Sequence, residues 1–152
     1  MNTSALGSTF EISLRILLLL NEAHGAALDE QQIRAVDFLS VYAADFGLLD
    51  ENLHGYSNYR FSEYPARKHL VSSALKGLLL DGNIRFQPVP TGYKYFITDA
   101  GKSICKKLTS NYANEYRIAV QTVIKSFDNA NTELMLREIS RLTIQSLEGG
   151  QA

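Results

Sequence analysis

One stretch constrains the fold more than any other. Residues 67 to 108 read as helix, strand, loop, strand, helix. The first helix, Arg67 to Leu80, closes on Leu78-Leu79-Leu80-Asp81-Gly82, where glycine suits a left-handed cap. The strands are Ile84-Arg85-Phe86 and Tyr93-Lys94-Tyr95-Phe96-Ile97, joined by the loop Pro88-Val89-Pro90-Thr91-Gly92. Thr98-Asp99-Ala100-Gly101 then opens a helix in which Ile104, Cys105 and Leu108 point inward.

The flanking segments are helical. Thr9 is placed to cap a first helix, on which Phe10, Leu14, Leu17, Leu18 and Ala23 recur at helical spacing before Gly25. Asp29 with Gln32 fits a capping box for a second helix carrying Ile33, Val36, Phe38, Leu39 and Tyr42. Pro65 suits the first turn of the third. After residue 109, Tyr112, Tyr116, Ala119, Val120 and Val123 form a wide apolar stripe. Asp128 to Asn131 makes a turn, and Thr132 caps a last helix to about Ser146. This pattern predicts a mainly α fold with a small β-wing, a winged helix-turn-helix with two extra C-terminal helices. Residues 1–8 are expected to be flexible. The winged-helix domain occupies 9–109 with an insertion at 43–64, a helical hairpin at 110–147 packs on it, and 148–152 is a polar tail. The insertion holds no period for long, and its aromatics predict that it packs down or meets a partner.

Composition narrows the function classes. The chain has 152 residues, 45% of them hydrophobic, and a net charge of −1. It can bury a core, but its overall charge exerts no pull toward nucleic acid. A single cysteine suits a reducing cytosol. The apolar run Ile16 to Leu20 is bracketed by Arg15 and Glu22 and is too short to span a bilayer. Residues 1–9 contain no Lys or Arg, which argues against a secretory signal. A cytoplasmic protein is expected.

Little in the chain carries reaction chemistry. His24, His54 and His69 lie far apart without metal-ligand spacing and read as surface or capping residues, and Cys105 reads as buried and inert. No Gly-rich phosphate loop, Ser-His-Asp arrangement or zinc-protease motif is present, and Asp45-Phe46-Gly47 stands without the other kinase motifs. No catalytic residue, metal or cofactor is assigned. Lys68, Ser72, Ser73 and Lys76 on the third helix, with Arg85 and Lys94 on the wing, are candidate DNA contacts. The patch is thin and offers no Asn, Gln or Arg in mid-helix to read base edges. Tyr56, Tyr59, Phe61 and Tyr64 read equally as a core lid or as interface anchors.

Several pieces together resemble a known family. They are Phe10-Glu11-Ile12-Ser13-Leu14-Arg15 with the apolar run after it, Asp37 through Asp45-Phe46-Gly47, and Leu53-His54. Arg60, Glu63 and Arg67, and Leu108-Thr109-Ser110-Asn111-Tyr112 with Arg117, Ala119 and Val123, complete the set. The chain resembles the type-2 middle component of bacterial ABC-three-component systems, to which the small subunit of the Lamassu anti-phage system is related. It departs from that pattern at Gly55, where a proline is expected, and at Ser62, where a glycine is expected. The resemblance implies a non-catalytic accessory subunit. It would bind a large ABC ATPase of the chromosome-maintenance (SMC) type and help couple DNA sensing to a separate effector subunit. Asp45, His54, Arg60, Glu63 and Arg67 would shape the partner surface, and Tyr56, Tyr59 and Phe61 of the aromatic cluster are candidate partner contacts beside them. The alternative is a dimeric winged-helix transcriptional regulator that binds DNA.

Overall fold

The computed structural model describes residues 8–149. Helix α1 (Thr9–Glu22) is followed by β1 (Leu28–Asp29) and α2 (Glu30–Val41). A 3-10 turn at Ala43–Phe46 begins the irregular segment, and a second, Arg60–Ser62, leads into the short α3 (Glu63–Ala66). Then come α4 (Lys68–Leu80), β2 (Ile84–Val89), β3 (Gly92–Ile97), α5 (Asp99–Lys107), α6 (Asn111–Ser126) and α7 (Thr132–Gly149). The fold is mainly helical with one small antiparallel sheet of order β1-β3-β2.

Helix α1 is the centre. Ile12 and every residue from Arg15 to Leu20 are buried, as a helix apolar nearly all round requires. It packs against α4, α5, α6 and β3, while α2 packs against α6 and α7. The caps follow from local chemistry. Ser8, rather than the expected Thr9, accepts a hydrogen bond from Glu11 N and caps α1. Asn131, rather than Thr132, accepts from Leu134 N at the start of α7. Asp29 and Gln32 form the expected capping box of α2. Gln32 Nε2 also donates to Ala130 O at 3.0 Å, so this cap holds the α6–α7 turn in place. Of the expected flexible stretch 1–8 and tail 148–152, residues 1–7 and 150–152 lie outside the described residues, whereas Ser8 caps α1 and residues 148 and 149 belong to α7.

Three expectations are corrected. The third helix is broken at Arg67, with α3 starting at Glu63 ahead of Pro65 and α4 restarting at Lys68. The two wing strands are longer than expected, running to Val89 and from Gly92, so only Pro90 and Thr91 separate them. Pro88 fits because β2 is an edge strand, where a missing N–H breaks no ladder bond. The two-residue β1 was missed, since a pair of residues carries no periodic signal. It pairs Leu28 with Tyr95 and Asp29 with Lys94.

The base of the wing is closely packed. Thr98 Oγ1 donates to Gly82 O at 2.8 Å and Thr98 N to Asn83 O at 3.1 Å. Gly101 is buried there, and a Cβ on it would press on Asn83 O and lie 2.7 Å from Ile97 Cγ1. Gly101→Ala is therefore expected to destabilise the fold by about 1–3 kcal/mol, read as a lowered urea midpoint with an unchanged slope. An unchanged midpoint would show that the wing base has slack.

Candidate functional site

The irregular segment 43–62 is ordered by two polar clusters. The outer one centres on Asp45. Arg60 grips its carboxylate with two bonds, Nε to Oδ2 at 2.7 Å and Nη2 to Oδ1 at 2.9 Å. Asn52 lies beneath. Its Nδ2 donates to Asp45 Oδ2 at 2.8 Å and to Gly55 O at 3.0 Å, and its Oδ1 accepts from Ala44 N at 2.8 Å. The Arg60 guanidinium also lies over the rings of Phe61 and Tyr56. This clasp closes a loop of about fifteen residues with a planar, bidentate pair, the geometry in which an arginine bond is strongest. Gly55 sits at φ 79°, a backbone angle closed to proline.

The inner cluster centres on Asp37, which is buried on α2. Arg15 donates to both of its oxygens, from Nε at 2.8 Å and Nη2 at 3.0 Å. Arg67 Nη1 donates at 3.1 Å and Tyr116 Oη at 2.7 Å. Arg67 Nη2 reaches on to Glu63, whose other oxygen accepts from Tyr42 Oη at 2.7 Å. One carboxylate thus joins α1, α2, α6 and the α3–α4 junction. Burial alone would lift the Asp37 carboxyl. The Arg15 guanidinium, with Arg67 and Tyr116 adding to it, overrides this and holds it below the usual carboxylate range. Burial and the Asp37 charge keep the Tyr116 hydroxyl protonated.

His54 lies beside this cluster. Its Nε2 is 2.7 Å from Tyr112 Oη, its ring stacks on Tyr112, and Tyr42 meets it edge-on. Burial first, then the Arg15 charge, lowers its pKa to about 3. His54 is thus half-buried in an aromatic niche, unlike the exposed His24 and His69. Burial raises the Tyr112 hydroxyl to about 12 and the Cys105 thiol to about 11.

The expected partner residues thus separate into three groups. Arg67 is only 6% exposed and is engaged within the chain, and His54 is half-buried against Tyr112 and Tyr42. Asp45, Arg60 and Glu63 are half-buried and engaged within the chain. Phe61 and Tyr64 pack on the core, while Tyr56 and Tyr59 are exposed. The charged residues on apolar helices, Arg15 and Asp37, were the missed signal. Each interrupts a run of buried side chains, and two opposite charges placed so must find one another.

An apolar groove of about 490 Å³ opens beside the clasp, between the 58–65 segment and α7. Tyr59, Phe61, Tyr64, Ile139, Ile144 and Leu147 line it. Of these, Tyr59, Ile144 and Leu147 are strongly exposed. Sequence reading did not single out Ile144 and Leu147 on the last helix. Of the candidate DNA contacts, Lys68, Ser73, Lys76 and Arg85 are exposed and Ser72 and Lys94 half-buried. Among the described residues, no three His, Cys, Asp or Glu side chains gather as a metal site would need.

The Middle Component 2 family of ABC-three component (ABC-3C) systems matches residues 5–149. The chain belongs to that family. The match spans both polar clusters, the groove and the sheet. The family is one component of a multi-component system, so the chain works beside partner proteins. No curated protein and no solved structure matched the chain. No helix among the described residues is long and apolar enough to cross a membrane.

Removing the Asp37 charge strands Arg15 and Arg67 in the interior. Asp37→Asn is expected to destabilise the fold by about 3–5 kcal/mol, measured by chemical denaturation. A loss under about 1 kcal/mol would mean the arginines relax to water. His54 supplies a pH signature. The unfolded chain takes up a proton near pH 6.5, whereas folded His54 resists until about 3, so stability falls as pH drops through that interval. Asp37 adds to the loss only below its ordinary value of 3.8. His54→Phe should flatten the stability profile between pH 6.5 and 4, and an unaltered slope there would refute the role given to His54.

Proposed function

We propose that this chain is a non-catalytic accessory subunit of an anti-phage defence complex. It docks the SMC-type ABC ATPase of its system and helps couple DNA sensing to an effector subunit. The observation that carries this reading is the groove between the clasped 58–65 segment and α7. A preformed apolar cleft with exposed Tyr59, Ile144 and Leu147 at its lip suits an aromatic or aliphatic anchor from a partner. Membership of a multi-component family supports the same reading.

A winged-helix arrangement is part of the proposal, with the helical hairpin of α6 and α7 as an addition to it. The order α1-β1-α2-α4-β2-β3-α5 and the pairing of β1 with β3 support it. The alternative of a dimeric DNA-binding regulator is weaker. It needs base-reading side chains along α4, whose exposed polar residues are Lys68, His69, Ser73 and Lys76.

The test is co-purification with the ATPase of the same system. Arg67 is unsuitable for it, since reversing that charge would break the Asp37 cluster. Tyr59→Ala combined with Ile144→Asp and Leu147→Asp is expected to abolish co-purification while stability changes by about 1 kcal/mol or less, as exposed positions allow. A folded triple variant that still co-purifies would sink the groove as the docking site.

A further inference from the structure

The net charge of −1 conceals a division of the chain. Residues 67–108 hold eight Lys or Arg against two Asp or Glu, a net of +6, and the rest of the chain carries −7. Arg67 is consumed by the Asp37 cluster, which leaves seven cations. Lys68 and Lys76 are on α4, Arg85 and Lys94 on the wing, and Lys102, Lys106 and Lys107 on α5. All are exposed except the half-buried Lys94. Among the described residues, none of the seven pairs with a carboxylate. The three elements are bound together where Thr98 meets Gly82 and Asn83 and where Gly101 packs on Asn83. The α5 lysines were absent from the thin patch read in the sequence, and they nearly double it.

The same region carries exposed aromatic surface. Phe86 and Tyr93 are 50% and 54% exposed and meet edge-on with centroids 5.2 Å apart. Register puts Phe86 opposite Tyr95 and Pro88 opposite Tyr93, so these four share one face of the ribbon. Arg85, Gln87 and Lys94 take the other face. An exposed aromatic pair on one face of the wing, with free cations on its other face and on the adjoining helices, suits a polyanion that also offers flat apolar surface, on a chain otherwise acidic.

We propose that the α4–wing–α5 surface binds the phosphodiester backbone of DNA without regard to sequence, with Phe86 and Tyr93 contacting sugars or bases. The seven cations neutralise phosphates. The acidic remainder repels the same polyanion, so contact is confined to α4, the wing and α5. Because α4 lacks Asn, Gln and Arg, the contact positions the protein and does not read bases.

The test uses the full chain alone, with labelled duplex and single-stranded DNA of several unrelated sequences, titrated by fluorescence anisotropy at a series of salt concentrations. Binding should be equal across sequences and weaken steeply with salt. Lys76→Ala with Arg85→Ala and Lys102→Ala should lower affinity at least about tenfold and flatten the log–log salt slope by about 2–3. Phe86→Ala with Tyr93→Ala should weaken binding severalfold and leave that slope unchanged. A larger effect of the aromatic pair on single strands than on duplex would assign single-stranded DNA as the preferred form, and equal effects would assign the duplex. Absence of binding at about 50 mM salt, or a triple variant with unaltered affinity and slope, would overturn the proposal. So would capture by vesicles rich in anionic lipid, or by an acidic polypeptide, without DNA binding. The three cation substitutions lie outside the groove, so co-purification with the ATPase remains a separate readout.

Discussion

Everything in this fold leans on one buried carboxylate. Asp37 accepts four hydrogen bonds from three side chains, and those side chains come from α1, from the α3–α4 junction and from α6. The net contribution of such a cluster over an apolar core is small, because desolvating the charges offsets most of their attraction. Its value lies in register. An apolar interface between helices tolerates sliding, whereas a bidentate Arg15–Asp37 pair permits one alignment of α1 on α2. Tyr116 imposes the same restriction on α6. The hairpin formed by α6 and α7 is thereby tied to the centre of the molecule, not merely laid against it.

Much of the helical content was legible because local signals and burial agreed. Asp29 with Gln32 caps as its spacing predicts, and of the four residues that open α5 it is Thr98 that caps, accepting from Gly101 N. Ser8 and Asn131 displaced their threonine neighbours, a competition between adjacent caps that spacing alone does not decide. The break at Arg67 was illegible for a different reason. No local signal interrupts the helical pattern from Pro65 to Leu80 apart from Gly77. The interruption coincides with a side chain drawn inward to a carboxylate thirty positions earlier. Strand β1 was hidden because its pairing partner lies more than sixty residues away and only two residues take part.

At the site, the residue identities were legible but their contacts within the chain were not. The family resemblance singled out Asp45, His54, Arg60, Glu63 and Arg67 as shaping a partner surface. In the structure they turn inward and organise that stretch, and the exposed groove beside them is built from apolar side chains of two distant segments. Polar residues in a long connection are more readily read as contacts for others than as contacts for the chain itself. Distinguishing the two needs the three-dimensional partner, because an arginine grips a carboxylate in the same way in either case.

The clasp has a consequence for recognition. Tyr59 and Phe61 flank Arg60, whose guanidinium is locked to Asp45, and Glu63 and Tyr64 follow directly before the Arg67 anchor. One wall of the groove is therefore staked at both ends, and the other is a regular helix. An incoming chain meets a cleft whose shape already exists. None of its binding free energy is diverted into freezing a loop, and a short, shallow contact can hold where a floppy wall would have demanded a large one.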